Sequence, residues 1–345
     1  MQNELSKHTP LLDYNGNLLQ VGWARHPLLD CNLEKAAFYP KFLSGLQFAR
    51  VKRWDYYGIF TQKQFFSAAI ADLGYAGNIF VYTLDFASGD LHEEGLVIPL
   101  GKGVTLSRQT SGICNYEGKD ITLTFDTTPE TRQIYVDWPG FHDGRGIHAE
   151  IILQQDQDFE SMNIVIPIKK KRFYYNHKIN CLPAKGSIQY GDEGIILTPD
   201  SAVGQLDWGR GVWEYSSFWN WASASGYLHD GRLVGLNFGS GFGDTSAATE
   251  NALILENRVH KLDQVTFDYD PKDFMKPWKF TDNQERLDLD FVPFKDRVAT
   301  TRMVIIDSEV HQLFGHYSGR VRTDEGEVLK IDGLIGFAEE HHARW

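Results

Sequence analysis

The segment Leu206-Asp-Trp-Gly-Arg-Gly-Val-Trp-Glu-Tyr-Ser-Ser-Phe-Trp-Asn-Trp is the densest polar-aromatic stretch of the chain. Its tryptophans Trp208, Trp213, Trp219 and Trp221 can set large flat faces against an apolar ligand. Asp207 and Arg210 stand among them. A carboxyl group that aromatic neighbours strip of water has a raised pKa and can act as a general acid near neutral pH. Asp207 is therefore a candidate catalytic acid, with Arg210 to orient it. Core aromatics with an Asp–Arg pair pinning a turn would use the same residues without any chemistry.

Two further stretches add polar groups. Gly235-Leu-Asn-Phe-Gly-Ser-Gly-Phe-Gly-Asp-Thr-Ser-Ala-Ala-Thr-Glu-Asn places Asn237, Asp244, Glu250 and Asn251 on both sides of a glycine-rich bend. The glycines do not make a phosphate loop, because no Gly-Lys-Ser/Thr follows and no strand–helix–strand context surrounds them. Tyr174-Tyr-Asn-His-Lys-Ile-Asn-Cys-Leu-Pro contributes His177 and Lys178, and Lys169, Lys170, Lys171 and Arg172 precede it as a basic island. That island is either an attractor for an anionic head group or a solvated face. The expected catalytic set is thus Asp207, Glu250, Asp244 and His177. Arg210, Trp208, Trp213, Trp219, Trp221, Asn237, Asn251, Lys178 and Tyr56 are expected to hold the ligand.

No metal site is expected. His142-Asp143 with His148, and Glu339-Glu340-His341-His342 near the end, carry suitable ligand types but read as exposed loops. Composition narrows the rest. The 345 residues carry 34 basic against 46 acidic side chains, a formal charge of −12. That balance argues against nucleic acid or an anionic membrane as the main partner. Cys31, Cys114 and Cys181 are too scattered for a disulfide framework. The first residues lack the apolar core of a signal peptide, and no stretch of about 20 apolar residues occurs, so a cytoplasmic protein without stable membrane insertion is expected.

The elements that must position these groups are strands. The chain has 22 Phe, 15 Tyr and 9 Trp, with 32 Gly and only 4 Met, a composition that favours strands and turns over helices. Ile121, Leu123 and Phe125 alternate with Thr122, Thr124 and Asp126, the period of a half-buried strand. Asp263–Tyr269, Arg286–Phe291, Asn78–Phe86, Ser161–Pro167, Arg232–Phe238, Arg302–Asp307 and Glu327–Asp332 also read as strands. Without interleaved helices they predict antiparallel barrels or sandwiches rather than a parallel sheet. There are too many for one small barrel, so two β-domains are expected, residues 1–175 and 176–345, with few short helices.

Gly22-Trp-Ala-Arg-His-Pro-Leu-Leu, Lys52-Arg-Trp-Asp-Tyr-Tyr, His177-Lys-Ile-Asn-Cys-Leu-Pro-Ala, Asp207-Trp-Gly-Arg-Gly-Val-Trp, Thr249-Glu-Asn with His260-Lys-Leu, and Gly336-Phe-Ala-Glu-Glu run in order along the chain. In this they resemble uncharacterised domain family 2804. That family is distantly similar to the lipocalin-like (calycin) group of carotenoid 1,2-hydratases, tocopherol cyclases and some cyclising pericyclases. The resemblance implies an all-β chain of two lipocalin-like antiparallel barrels or sandwiches, an apolar ligand and no organic cofactor. No hydratase catalytic motif matches residue by residue.

The expected function is binding of a small lipid- or terpenoid-like molecule in or between two β-domains. Cofactor-free, acid-catalysed hydration, isomerisation or cyclisation would follow if the protein is an enzyme. Asp207 or Glu250 would protonate the ligand, and tryptophan faces would stabilise the resulting cation. Two alternatives remain open at this level: a lipid carrier without chemistry, and a carbohydrate-active protein with paired carboxylates on aromatic platforms.

Overall fold

The computed structural model describes residues 2–156, 158–303 and 306–344. Among these, helix is confined to the 3-10 segments Leu33–Lys35 and Lys41–Arg50 and the single turn Phe141–Gly144. The strands are nearly all antiparallel, as the alternating pattern requires. None of the helices is long and apolar enough to cross a membrane.

The strands form a 13-stranded sheet, a nine-stranded sheet and a small parallel pair of Thr9–Pro10 with Leu29–Asp30. Along the first run Leu91–Pro99, Ala76–Asp85, Gln64–Asp72, Val51–Thr61, Ala202–Val212, Arg172–Tyr190, Ile147–Gln154, Thr131–Trp138, Thr122–Thr127 and Gly112–Glu117. The second is ordered Arg258–Lys261, Ala252–Leu255, Leu233–Ser240, Ser216–Tyr227, Val328–Arg344, Ile306–Arg322, Leu287–Met303, Trp278–Asp282 and Val265–Asp268. Each sheet curls around its own apolar interior, giving two half-barrels in keeping with the antiparallel barrels or sandwiches expected from the pattern. The chain passes from one sheet to the other between Val212 and Ser216, whereas position 175 lies inside the strand Arg172–Tyr190.

That strand does two jobs. Its first half pairs with Met162–Lys169 and its second with Ile147–Gln154. It shifts register between Ile179 and Leu182, where Cys181 adopts a left-handed backbone with φ of 66°. A bulge of this kind bends the strand and re-aims its side chains. The expected strand Arg302–Asp307 straddles two long strands instead, with Arg302 opposite Asp307; residues 304 and 305 lie outside the described ones.

The half-barrels are filled. Trp208, Tyr57, Phe125 and Ile134 belong to the packed interior of the first, and Trp278, Phe280 and Tyr317 to that of the second. A third cluster joins them: Tyr56, Phe60, Phe65, Tyr82, Trp221, Phe314 and Phe337 pack where the sheets meet. Ala202–Val212 is consequently buried along its whole length, one face toward the first interior and the other toward the second sheet. Asn180 ties the sheets together by donating from Nδ2 to Ser223 Oγ (2.9 Å) and the Ala224 carbonyl (3.2 Å).

Candidate functional site

Strand alternation decides which side chains meet. Tyr56, Asp207 and Lys178 are register partners on adjacent strands of the first sheet, so they project from one face. Trp221, Glu339 and Gln312 are register partners in the second. The two rows face each other across the sheet junction.

Lys178 is at the centre. Its Nζ lies 2.9 Å from Asp207 Oδ2, 3.6 Å from Glu250 Oε2 and 3.8 Å from the centroid of Trp221. Asn176 Nδ2 donates to the other Asp207 oxygen at 2.6 Å and to the Trp208 carbonyl at 2.8 Å. Trp221 Nε1 donates to Asn237 Oδ1 (2.9 Å), and Asn237 Nδ2 donates to the Glu250 carbonyl (2.8 Å). Glu250 lies flat over Gly239, where a Cβ would come within 2.0 Å of its Oε1. Glu250 Oε2 has no hydrogen-bond donor.

A third carboxylate completes the cluster. Glu339 accepts from Trp219 Nε1 and from Gln312 Nε2, both at 3.2 Å. Behind it, Tyr82 OH donates to Gln312 Oε1 (2.8 Å) and shares a hydrogen bond with Tyr56 OH (2.8 Å). Arg297 grips Glu93 through Nη2 and Nε and also reaches Gln312 Oε1. One end of the cluster is walled by aromatics: Trp54 stacks on Tyr174, Trp213 meets Trp54 edge-on, and Phe242 contacts Tyr174, Trp213 and Trp219. Trp54 fits because its ring lies over Gly209, where a Cβ would approach within 2.0 Å.

The electrostatics follow from crowding acids where water is scarce. Burial pushes Glu339 up to about 7, and Asp207 adds to the shift against the opposing pull of Trp219, Lys178 and Arg297. Burial also raises Glu250, again with Asp207 contributing, and Lys178 opposes. Burial, then Glu250, Asp207 and Glu339, hold the Tyr174 phenol far above its ordinary value. The cluster can therefore keep a proton on a carboxyl group near neutral pH beside one that accepts from an ammonium.

Of the expected residues, the structure brings Asp207, Glu250, Lys178, Tyr56, Trp219, Trp221 and Asn237 together, with Trp213 at the aromatic end. Others lie elsewhere. Trp208 and Arg210 point into the first half-barrel, because they differ from Asp207 by an odd number of positions on one strand. There Arg210 pairs with Asp55 (2.8 Å), donates to the Trp54 and Ser107 carbonyls, and lies 4.2 Å from the Trp208 ring centroid. His177 also points inward; its Nε2 shares a hydrogen bond with Ser161 Oγ (2.7 Å), and burial keeps it neutral. Asn251 is a clamp, accepting from Gly239 N and donating to the Asp263 carbonyl. Asp244 sits in an exposed loop, accepting from Ser246 N. Glu339 and His341, read as an exposed terminal loop, instead occupy the strand Val328–Arg344. The alternation of Phe337, Glu339 and His341 was the signal for them.

The architecture is that of two-domain lipocalin-like proteins. A crystal structure of CghA with Sch210972 superposes with a TM-score of 0.54 at 10% identity, covering 85% of this chain and 88% of that one. CghA alone gives 0.54 at 9%, covering 85% and 87%. Kievitone hydratase from Nectria haematococca gives 0.44 at 10%, covering 85% and 88%. No curated protein matches in sequence. The chain belongs to the family described as Domain of unknown function (DUF2804), whose model matches residues 2–345.

Proposed function

We propose that the junction between the sheets binds a small, largely apolar molecule and moves protons on it without a cofactor. The observation that carries this reading is the arrangement of Asp207 and Glu250 around the Lys178 ammonium, with Glu339 on the facing sheet and tryptophan faces beside all three. Asp207 already accepts from Lys178 and Asn176, which suits it to orient the lysine rather than to give up a proton. The acid is therefore Glu339 or Glu250, the second of which was one of the two donors expected from sequence beside Asp207. Its proton forms a new C–H bond with an alkene carbon of the ligand, whose π pair is consumed. The cation left on the neighbouring carbon rests against Trp219 or Trp221, each ring contributing about 0.5–2 kcal/mol. Loss of a proton to the carboxylate completes an isomerisation or cyclisation; capture of water, followed by loss of its extra proton to the same carboxylate, completes a hydration.

A carbohydrate site would want an open groove with two facing carboxylates. Asp207 and Glu339 are 8% and 6% exposed, closed between two sheets, which favours the apolar reading. A carrier without chemistry would have less use for a carboxyl group poised near neutrality. The three cysteines are buried and unpaired, in keeping with a reducing, cytoplasmic compartment.

Native mass spectrometry of the purified protein, followed by incubation of the released molecule with the protein in D2O, tests the proposal. The expected result is an alkene-bearing ligand that gains deuterium at carbon, about 100-fold more slowly with Glu339→Gln. A released sugar, or unchanged deuterium uptake in both Glu339→Gln and Glu250→Gln, refutes it.

A further inference from the structure

We infer that the 3-10 segment Lys41–Arg50, with the basic island beside it, docks the protein on the surface of an anionic phospholipid bilayer. The segment buries none of its residues. Phe42 is 83% exposed, Leu46 55% and Phe48 61%, a cost that a water-soluble surface bears only where something covers it.

Charge identifies what covers it. Residues 35–54 contain Lys35, Lys41, Arg50, Lys52 and Arg53 and no acid, and residues 161–191 contain Lys169, Lys170, Lys171 and Arg172 and again no acid, in a chain of charge −12. The fold brings the two stretches together: Arg50 and Arg172 both donate to the Trp213 carbonyl, at 3.2 and 2.9 Å, and Arg172 lies over the Phe38 ring. Two acids face the island. Glu214 pairs with Lys169 at 2.6 Å, and Asp13 is within electrostatic reach of Lys171. Lys41 and Lys170 remain exposed. Arg53 is neutralised by Asp72 and Lys52 is buried, so the positive field at this face comes from Lys35, Lys41, Lys170, Lys171 and Arg172. Exposed aromatic and aliphatic side chains ringed by lysines are the signature of a segment lying in the head-group region. Trp213, whose carbonyl the arginines hold, packs against Trp54 and Tyr174 at the aromatic end of the candidate site.

Flotation of the full chain tests this, using vesicles of phosphatidylcholine alone or mixed with phosphatidylserine. The protein is expected to float with the mixed vesicles only and to be released by added NaCl. Phe42→Ser with Phe48→Ser lowers partitioning about tenfold or more. Lys170→Ser with Lys171→Ser lowers it about fivefold per lysine. All four side chains lie at the surface, and an unchanged thermal midpoint verifies the fold. Failure to float, or flotation that ignores both lipid charge and salt, overturns the inference. So does a concentration-dependent dimer that Phe42→Ser dissolves, which would assign the patch to a second copy of the chain.

Discussion

A single side chain, Glu339, links the chemistry of the site to the stability of the fold. Its carboxyl group has an ordinary value of 4.5 in the unfolded chain and about 7 in the folded one. Between these pH values the unfolded chain has released the proton and the folded chain keeps it. Stability therefore falls as pH rises through that window, levelling off above about 7. Glu339→Gln removes this slope, so its midpoint in urea should gain on the wild type between pH 4.5 and 8, by on the order of 3 kcal/mol. His341, on the same strand, is pushed down to about 3 by burial, and its contribution runs the other way: stability is lost as pH falls below about 6.5. Parallel pH profiles for wild type and Glu339→Gln would show that folding leaves the Glu339 pKa at its ordinary value, ionised near neutral pH and unsuited to act as an acid.

Among the elements, two glycines, one on a strand of each sheet, make room for the walls of the site. Gly239 lets Glu250 lie against its strand, and Gly209 lets Trp54 cover its own. Neither has the positive φ that would demand glycine on backbone grounds, so the requirement is steric. Gly239→Ala should displace Glu250 from Lys178 and cost about 1–3 kcal/mol through overpacking. Urea unfolding together with ligand retention in native mass spectrometry measures both effects. Unaltered stability and retention would mean that Glu250 has another resting place. Strand periodicity was readable in the sequence, as in Thr122–Thr127 and in Leu233–Ser240, which carries Gly239. The residues that periodicity joins were harder to read. Asp207, Trp208 and Arg210 look like one group along the chain, yet alternation sends Asp207 to the junction and its neighbours into the half-barrel.

Seen whole, the molecule is two curled sheets joined back to back through Tyr56, Phe65, Trp221, Phe314 and Phe337. Because this third cluster is as buried as the two interiors, the halves should unfold together. Phe314→Ala, which opens a cavity in the junction, is expected to cost about 3–5 kcal/mol and to move one cooperative transition without splitting it. Two separate transitions in calorimetry would show that the halves are independent domains. The buried pair Arg210–Asp55 belongs to the first interior, where loss of either partner would leave an unpaired buried charge.

The order of residues alone determined the architecture. Period-two alternation, abundant aromatics and turn residues leave little choice but antiparallel sheets, and these are local properties that need no knowledge of distant partners. It also marked Asp207, Glu250, Lys178 and Trp221 as worth watching. Which of them meet was decided by packing. Lys178 meets Glu250 although the two lie 72 positions apart along the chain. Glu339 joins them only because the last strand lies beside Ser216–Tyr227. A carboxylate gains an unusual proton affinity from the absence of water and the presence of other charges. Both are properties of the assembled junction, and neither is written in the neighbours of a residue along the chain.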